Sequence, residues 1–428
     1  MILVLPVALL GLLLALGLPV ALSLLLSGAA GLGLLGGSDL ILGVLGSAPA
    51  SALGSYELLT IPMFLLMAEF MIASGVASQL FRAIANWTGR VPGGLGIATA
   101  VAGAAFGAIS GSSTAAAATL SNTSVPAMVE QGYERGFAAG IVSISGTLAM
   151  IIPPSIAVIF YGLLSGASIG KLLIAGIVPG ALVTLTIILT IWFLILREPG
   201  LAPRSAVVPM REKLRSLRVA GPFFSLFGLV TGAIYLGVAT PVEASALGAL
   251  GAMLLALAYG RLSWAKLRAA ALNTCATSAM IGLIVVCAQV FGYFLTMTGA
   301  TQGLVDWVGG LDVSRYVVLA FLVVLYLVLG CFLDQLSILI LTIPIVLPVV
   351  IKLGFDPIWF GMIVILLAEV GMVTPPVGMN VFVVSRTVRM PVGQVFSGVF
   401  PHVVAHVVLI VLLIAFPEVI LWLPSQMK

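Results

Sequence analysis

Four carboxylates interrupt apolar runs in this sequence: Glu69, Glu243, Asp334 and Glu369. An ionisable group inside a hydrophobic segment is costly, so each is a functional candidate. Asp334 stands beside a segment broken by Pro344 and Pro348, where a carboxylate next to unwound carbonyls and hydroxyls makes a hard-oxygen cage for a small cation. Its alternative reading is a helix N-cap. Glu69 and Glu369 admit a proton, a partner or an ion, and Glu243 follows Thr240-Pro241 as a helix-start residue would. The stretch Gly107–Pro126 is hydroxyl-rich and Gly-broken. Such breaks free backbone carbonyls, which is how secondary transporters build ion and substrate sites. Its alternative is a close helix–helix contact, which small residues also allow. His402 and His406 are spaced for one helix face, but no third metal ligand lies nearby, so they read as packing residues.

Soluble-enzyme chemistry finds no support. Gly31–Gly36 matches G-x-G-x-x-G without a preceding strand, and Gly166–Lys171 lacks P-loop spacing, so no ATPase is encoded. There is no H-E-x-x-H or G-x-S-x-G. The expectation is a protein that is not an enzyme and carries no cofactor.

The elements that must hold these groups are membrane helices. The 428 residues are 61% hydrophobic and 7% charged, against about 25% charged in soluble domains. At about 20 residues per crossing, that length allows roughly 10 to 14 membrane segments. The net charge of +4 lies in loops and speaks for membrane orientation rather than nucleic acid. Cys275, Cys287 and Cys331 are apolar in context and read as core residues. Met1–Leu26 reads as the first transmembrane helix, since its apolar run is too long for a signal peptide, and Ser38–Ser55 as an interfacial or kinked segment. Gln79–Arg90, ending in Trp87 and Arg90, is an amphipathic arm, and Thr301–Val308 is its later equivalent. Between Arg197 and Arg218 lie Arg204, Arg211, Lys213 and Arg215, which place this stretch on the cytoplasmic side. Arg261, Lys266 and Arg268 return to that side, with Ser263–Ala270 as another amphipathic piece before a span at Cys275–Met297 and a closing span at Val399–Leu423.

A shift of 222 positions aligns the helix breakers: Pro126 with Pro348, Gly132 with Gly354, and Pro153-Pro154 with Pro375-Pro376, while Ser78-Gln79 meets Thr301-Gln302 at a shift of 223. Breakers are few and positionally demanding, so their coincidence indicates an internal repeat. Paired interrupted segments in two halves are the best sequence pointer to a transporter's site. The expected fold is an all-α polytopic membrane protein of two repeats, inverted if an odd number of crossings separates them, with two helical hairpins and broken helices. Its parts are an N-terminal scaffold segment (1–57), repeat one (58–196), the basic cytoplasmic loop (197–218), a scaffold helix pair and arm (219–270), repeat two (271–398) and a C-terminal helix (399–428).

Ile109-Ser-Gly-Ser-Ser113, Ile151-Ile-Pro-Pro-Ser155, Ala239-Thr-Pro-Val-Glu-Ala244, Gly330-Cys-Phe-Leu-Asp334 and Val373-Thr-Pro-Pro-Val-Gly378 resemble, in order, the large permease subunit of tripartite ATP-independent periplasmic (TRAP) transporters. Ile61-Pro62 and Ala68-Glu69 fit the same pattern. The resemblance implies an elevator-type secondary transporter of the bacterial inner membrane, embedded in lipid and coupled to sodium. It also implies a small four-helix membrane subunit, a periplasmic substrate-binding protein and an organic-acid substrate such as a dicarboxylate, keto acid or sialic acid. Carried over by position, sodium would be held at Ser110, Gly111, Ser112, Ser113, Gly146, Thr147, Pro153, Asp334, Thr374, Pro375, Val377 and Gly378. Substrate would meet Ser112, Pro154 and Asn380, and also Ser121, Asn122 and Thr123, which resemble a carboxylate-binding Ser-Asn-Thr motif of related sodium symporters. The second hairpin, Asp334-Gln-Leu-Ser-Ile, departs from the pattern by having fewer small hydroxyls. The rival expectations are a stand-alone ion-coupled carboxylate symporter or antiporter, and a structural or channel-like protein.

Overall fold

The computed structural model describes residues 2–89, 91–203 and 209–427. Met1, Arg90, Arg204, Lys428 and the side chains of Ser78 and Arg218 lie outside the described residues. Helices α1 (Val4–Ala15) and α2 (Val20–Leu53) precede a first half. That half runs through α3 (Thr60–Ser74), α4 (Val76–Thr88), α5 (Gly94–Ser110), α6 (Ser113–Glu130), α7 (Arg135–Thr147), α8 (Ile156–Ser165), α9 (Ile169–Ala175) and α10 (Ile177–Arg197). After α11 (Met210–Tyr235) and α12 (Pro241–Ala258), a second half holds α13 (Trp264–Met297), α14 (Ala300–Gly309), α15 (Arg315–Phe332), α16 (Gln335–Lys352), α17 (Pro357–Gly371), α18 (Met379–Val388) and α19 (Val392–Ala415). Helix α20 (Glu418–Ser425) follows.

The repeat is visible in the caps as well as the breakers. Helices α6 and α16 are each 18 residues long and begin 222 positions apart. Each is followed by a left-handed glycine, Gly132 or Gly354, and then by an acidic N-cap: Glu134 accepts from the amides of Gly136 and Phe137, and Asp356 from those of Ile358 and Trp359. Both Pro-Pro bonds, 153–154 and 375–376, are cis. Helix α7 runs parallel to α19, because Gly136 lies against Gln394 and Gly140 against Gly398 and Val399. Helix α17 runs antiparallel to α19: near its start Trp359 Nε1 donates to Leu413 O at 3.1 Å, and just beyond its end, across the break, Gly378 packs on Phe396. Equivalent helices of the two halves therefore point in opposite directions, and the repeats are inverted. The halves also exchange partners, with α6 packing on α18 and α16 on α8.

Around this core lies a frame of long helices in which α2 packs on α13, α3 on α12 and α13, and α11 on α4 and α12. Its basic end is tied by charge. Arg261 Nη1 donates to Ser74 O at 3.0 Å and Lys266 Nζ to Ala73 O at 3.4 Å, so two cations cap the carbonyl end of α3. Lys213 sits over the Trp87 ring at 5.7 Å, which fastens the arm α4 to α11.

Several expected boundaries move. The Met1–Leu26 run is two helices, because left-handed Gly17 ends α1 and Pro19 starts α2. Ser38–Ser55 is mostly the far part of α2, joined through a kink at Gly36–Gly37 where the backbone leaves helical geometry. The basic stretch is not a loop throughout, since α11 starts at Met210. The Ser263–Ala270 piece and the Cys275–Met297 span are one 34-residue helix, because no breaker separates them. The closing span begins earlier, at Val392, and divides at Phe416–Pro417. Among the described residues eight helices are long and apolar enough to cross a membrane, or nine if a bent pair is counted as one span, fewer than composition allows. Part of the remaining length goes into shorter apolar helices such as α8, α17 and α18.

Candidate functional site

The first hairpin turns between α5 and α6. Gly111 ends α5 in the left-handed region (φ 56), and extended Ser112 starts α6 with its Oγ accepting from Ala115 N at 3.4 Å. The last carbonyls of α5 have no following helical N–H, so the turn presents backbone oxygens beside the Ser110 and Ser112 hydroxyls. That is a hard-oxygen set, suited to a small cation.

This turn meets both helix breaks. A Cβ at Gly111 would stand 3.4 Å from Ile156 N, so the turn lies against the chain just after Pro153-Pro154. Ser113 Oγ donates to Asn380 Oδ1 at 3.3 Å and approaches Met372 Sδ at 3.6 Å, which ties it to both sides of the Thr374–Gly378 break. Asn380 N donates in turn to Met372 O at 3.0 Å. Gly146 rests on the backbone of Ala117 in α6, so the end of α7 closes on the same hairpin. Ser113 and Asn380 are fully buried, and among the described residues the Asn380 Nδ2 donor has no partner.

The two breaks differ in exposure. Pro153 and Pro154 are buried, with Pro154 lining a small hollow shared with Ile109, Met67 and Phe223. Pro375, Pro376 and Val377 are exposed, and Thr374 is half-buried with its hydroxyl on Val370 O. Asp334 opens the second hairpin where Ser112 opens the first. Its carboxylate accepts from Ser337 N at 3.3 Å and from Ser337 Oγ, so the cap reading is realised. A carboxylate has about four acceptor positions, which leaves room for a cation.

Other expected residues are not gathered here. Ser121, Asn122 and Thr123 lie in the middle of α6, roughly 13 Å along the helix from the turn at 1.5 Å per residue. All three bond back to carbonyls of their own helix, at 2.6, 3.1 and 3.0 Å, and successive helical positions point them different ways. The Thr147 hydroxyl is likewise spent on Ile144 O at 2.8 Å. Glu69 meets Asn273 Nδ2 at 3.4 Å between α3 and α13, and Glu243 forms a capping box with Thr240. His402 and His406 are buried in α19, and among the described residues no three His, Cys, Asp or Glu side chains come together. Sequence reasoning missed Ile156 and Met372, whose contribution is contact alone and has no signature in residue type.

Residues 7–419 match the family model described as "Tripartite ATP-independent periplasmic transporter, DctM component". The chain belongs to the DctM family. It is 35% identical over 371 residues to a C4-dicarboxylate TRAP transporter large permease protein of Pseudomonas aeruginosa, covering 86% of each chain. It is 33% identical over 353 residues to the isethionate TRAP transporter permease protein DctMQ of Oleidesulfovibrio alaskensis, covering 82% of this chain and 55% of that one. The Alcanivorax borkumensis YdaH transporter superposes with a TM-score of 0.65 over 90% of both chains at 17% identity, a likeness of fold. The DctM chain is thus a multi-pass membrane protein, the large permease of a TRAP system.

Proposed function

We propose that this DctM subunit imports an organic acid across a bacterial inner membrane, driven by the sodium gradient. The observation that carries the reading is the meeting of the first hairpin turn with both helix breaks, through Gly111 on Ile156 and Ser113 on Asn380 and Met372. Sodium is held on the turn oxygens of Ser110–Ser113 with Gly146, Pro153 and the backbone of Thr147, whose hydroxyl is spent on its own helix, and in the other half by Asp334 with Thr374, Pro375, Val377 and Gly378. The Asn380 amide, without a partner among the described residues, supplies a donor for a substrate carboxylate, with Ser112 and Pro154 as the further substrate contacts. The hairpins and broken helices form the moving body of an elevator, and α2, α3 and α11–α13 the stationary frame clamped by the arms α4 and α14. The relatives' names support C4-dicarboxylates as the first class to try, and the longer relative DctMQ supports a small membrane subunit as partner. A periplasmic binding protein delivers the substrate.

Uptake into proteoliposomes containing both membrane subunits tests this. Accumulation is expected only with an inward sodium gradient and the cognate binding protein present. Equal uptake without the binding protein would favour the stand-alone carrier, and passive equilibration without sodium would favour a channel.

A further inference from the structure

Among the described residues Glu369, in α17, is the only aspartate, glutamate, lysine or arginine that is buried. It is 2% exposed, and among the described residues neither carboxyl oxygen has a hydrogen-bond partner. Gln335, the residue after Asp334, is also buried, and its Oε1 is unpartnered too. Gln335 Nε2 donates to Ile365 O at 3.4 Å, one helical turn before Glu369 in α17. Residues four apart share a helix face, and helical side chains lean toward the N-terminus of their helix. Glu369 therefore shares the face of α17 on which the Gln335 amide rests.

Among the described residues no charged group bonds to this carboxyl. Helix α8 offers Tyr161, whose hydroxyl donates to Pro357 O, and α15 offers Tyr326, whose hydroxyl donates to Thr342. Arg315 is stacked on Tyr316 and Phe355 at the opposite end of α17. Helix α16 carries Asp334 and Lys352 at its two ends, α9 carries Lys171 and α20 carries Glu418, none of them bonded to Glu369. Helix α19 brings His402 and His406 to about the same depth, counting 1.5 Å per residue from the Trp359–Leu413 bond. Among the described residues three of their four ring nitrogens have no partner and none bonds Glu369. A bare carboxylate in such surroundings is prohibitive, and a carboxylate facing an amide oxygen sets acceptor against acceptor.

We propose that Glu369 is a proton-binding site: the carboxyl carries a proton, donates it to Gln335 Oε1, and so fastens the second hairpin to α17. The site belongs to the second half alone, since the position 222 residues earlier is Thr147, whose hydroxyl serves its own helix. Raising the pH removes the proton, leaves two acceptors opposed and loosens the hairpin, separately from sodium binding at the first turn.

Infrared spectroscopy of the purified membrane complex at neutral pH tests this directly. The carbonyl band of a protonated carboxylic acid is expected in the native protein, absent in Glu369→Gln and moved to higher frequency in Gln335→Leu, where the acceptor is gone. In proteoliposomes, native uptake should fall about tenfold per pH unit beyond the titration point, while Glu369→Gln, which donates the same bond and has no proton to lose, stays flat. Should Glu369→Gln not fold, the Gln335→Leu band shift decides alone. No protonated-acid band, a carboxylate band that moves with sodium, a band indifferent to Gln335→Leu, or a pH limb abolished only by His402→Gln or His406→Gln would overturn the proposal.

Discussion

The bond between Ser113 and Asn380 offers a quantitative test, because it joins elements 267 positions apart in sequence. Both side chains are fully buried, so Ser113→Ala removes the donor and strands Asn380 Oδ1. A buried polar group left unpaired costs about 1–3 kcal/mol. Asn380→Leu removes the acceptor and leaves the Ser113 hydroxyl only the weaker Met372 sulfur, at up to similar cost, while the double variant removes both groups. The two losses should therefore not add, and the double variant should recover about 0.5–3 kcal/mol against their sum. The assay is a double-mutant cycle on chemical unfolding of the purified complex, repeated on the sodium concentration for half-maximal uptake. Stability losses that add within about 0.3–0.5 kcal/mol would show that the turn and the break are not coupled, and the reasoning would fail.

Other predictions follow from single contacts. Asp334→Asn keeps an equally good N-cap, so stability should change by less than about 0.5 kcal/mol while sodium-driven uptake weakens; uptake titrated against sodium checks it. Arg261→Ala removes a charge-assisted bond to Ser74 O and should cost about 1–3 kcal/mol, read as a lower thermal midpoint with more protease cutting near α4. Gly140→Val forces a side chain into the backbone of Gly398 and Val399 and should destabilise by about 1–3 kcal/mol or more, seen as loss of monodisperse protein on size exclusion.

The two halves were legible from Pro153-Pro154, Pro375-Pro376, Gly132 and Gly354 because breakers act locally: a proline or a left-handed glycine forces its geometry wherever it stands. Their inversion was not, since it depends on a count of crossings that apolar composition alone does not fix. The hairpin turn at Ser110–Ser113 was legible for the same reason. What failed was where apolar composition stood in for geometry. A single Gly17–Pro19 interruption split the first span, and the absence of any interruption fused Trp264–Met297 into one helix. The Ser121–Thr123 triplet resembled a ligand motif, but Ser112 caps α6 nine residues earlier and fixes the triplet inside the helix. The contacts of Ser113 with Met372 and of Gln335 with Ile365 depend on long-range packing that residue types do not encode.

Binding of radiolabelled sodium to the purified complex tests the central claim most directly. The account predicts saturable binding that potassium does not displace and that Gly111→Ala abolishes, because the left-handed turn (φ 56) has no room for a Cβ beside Ile156. Binding unchanged in that variant, or no specific sodium binding in the native protein, would contradict it.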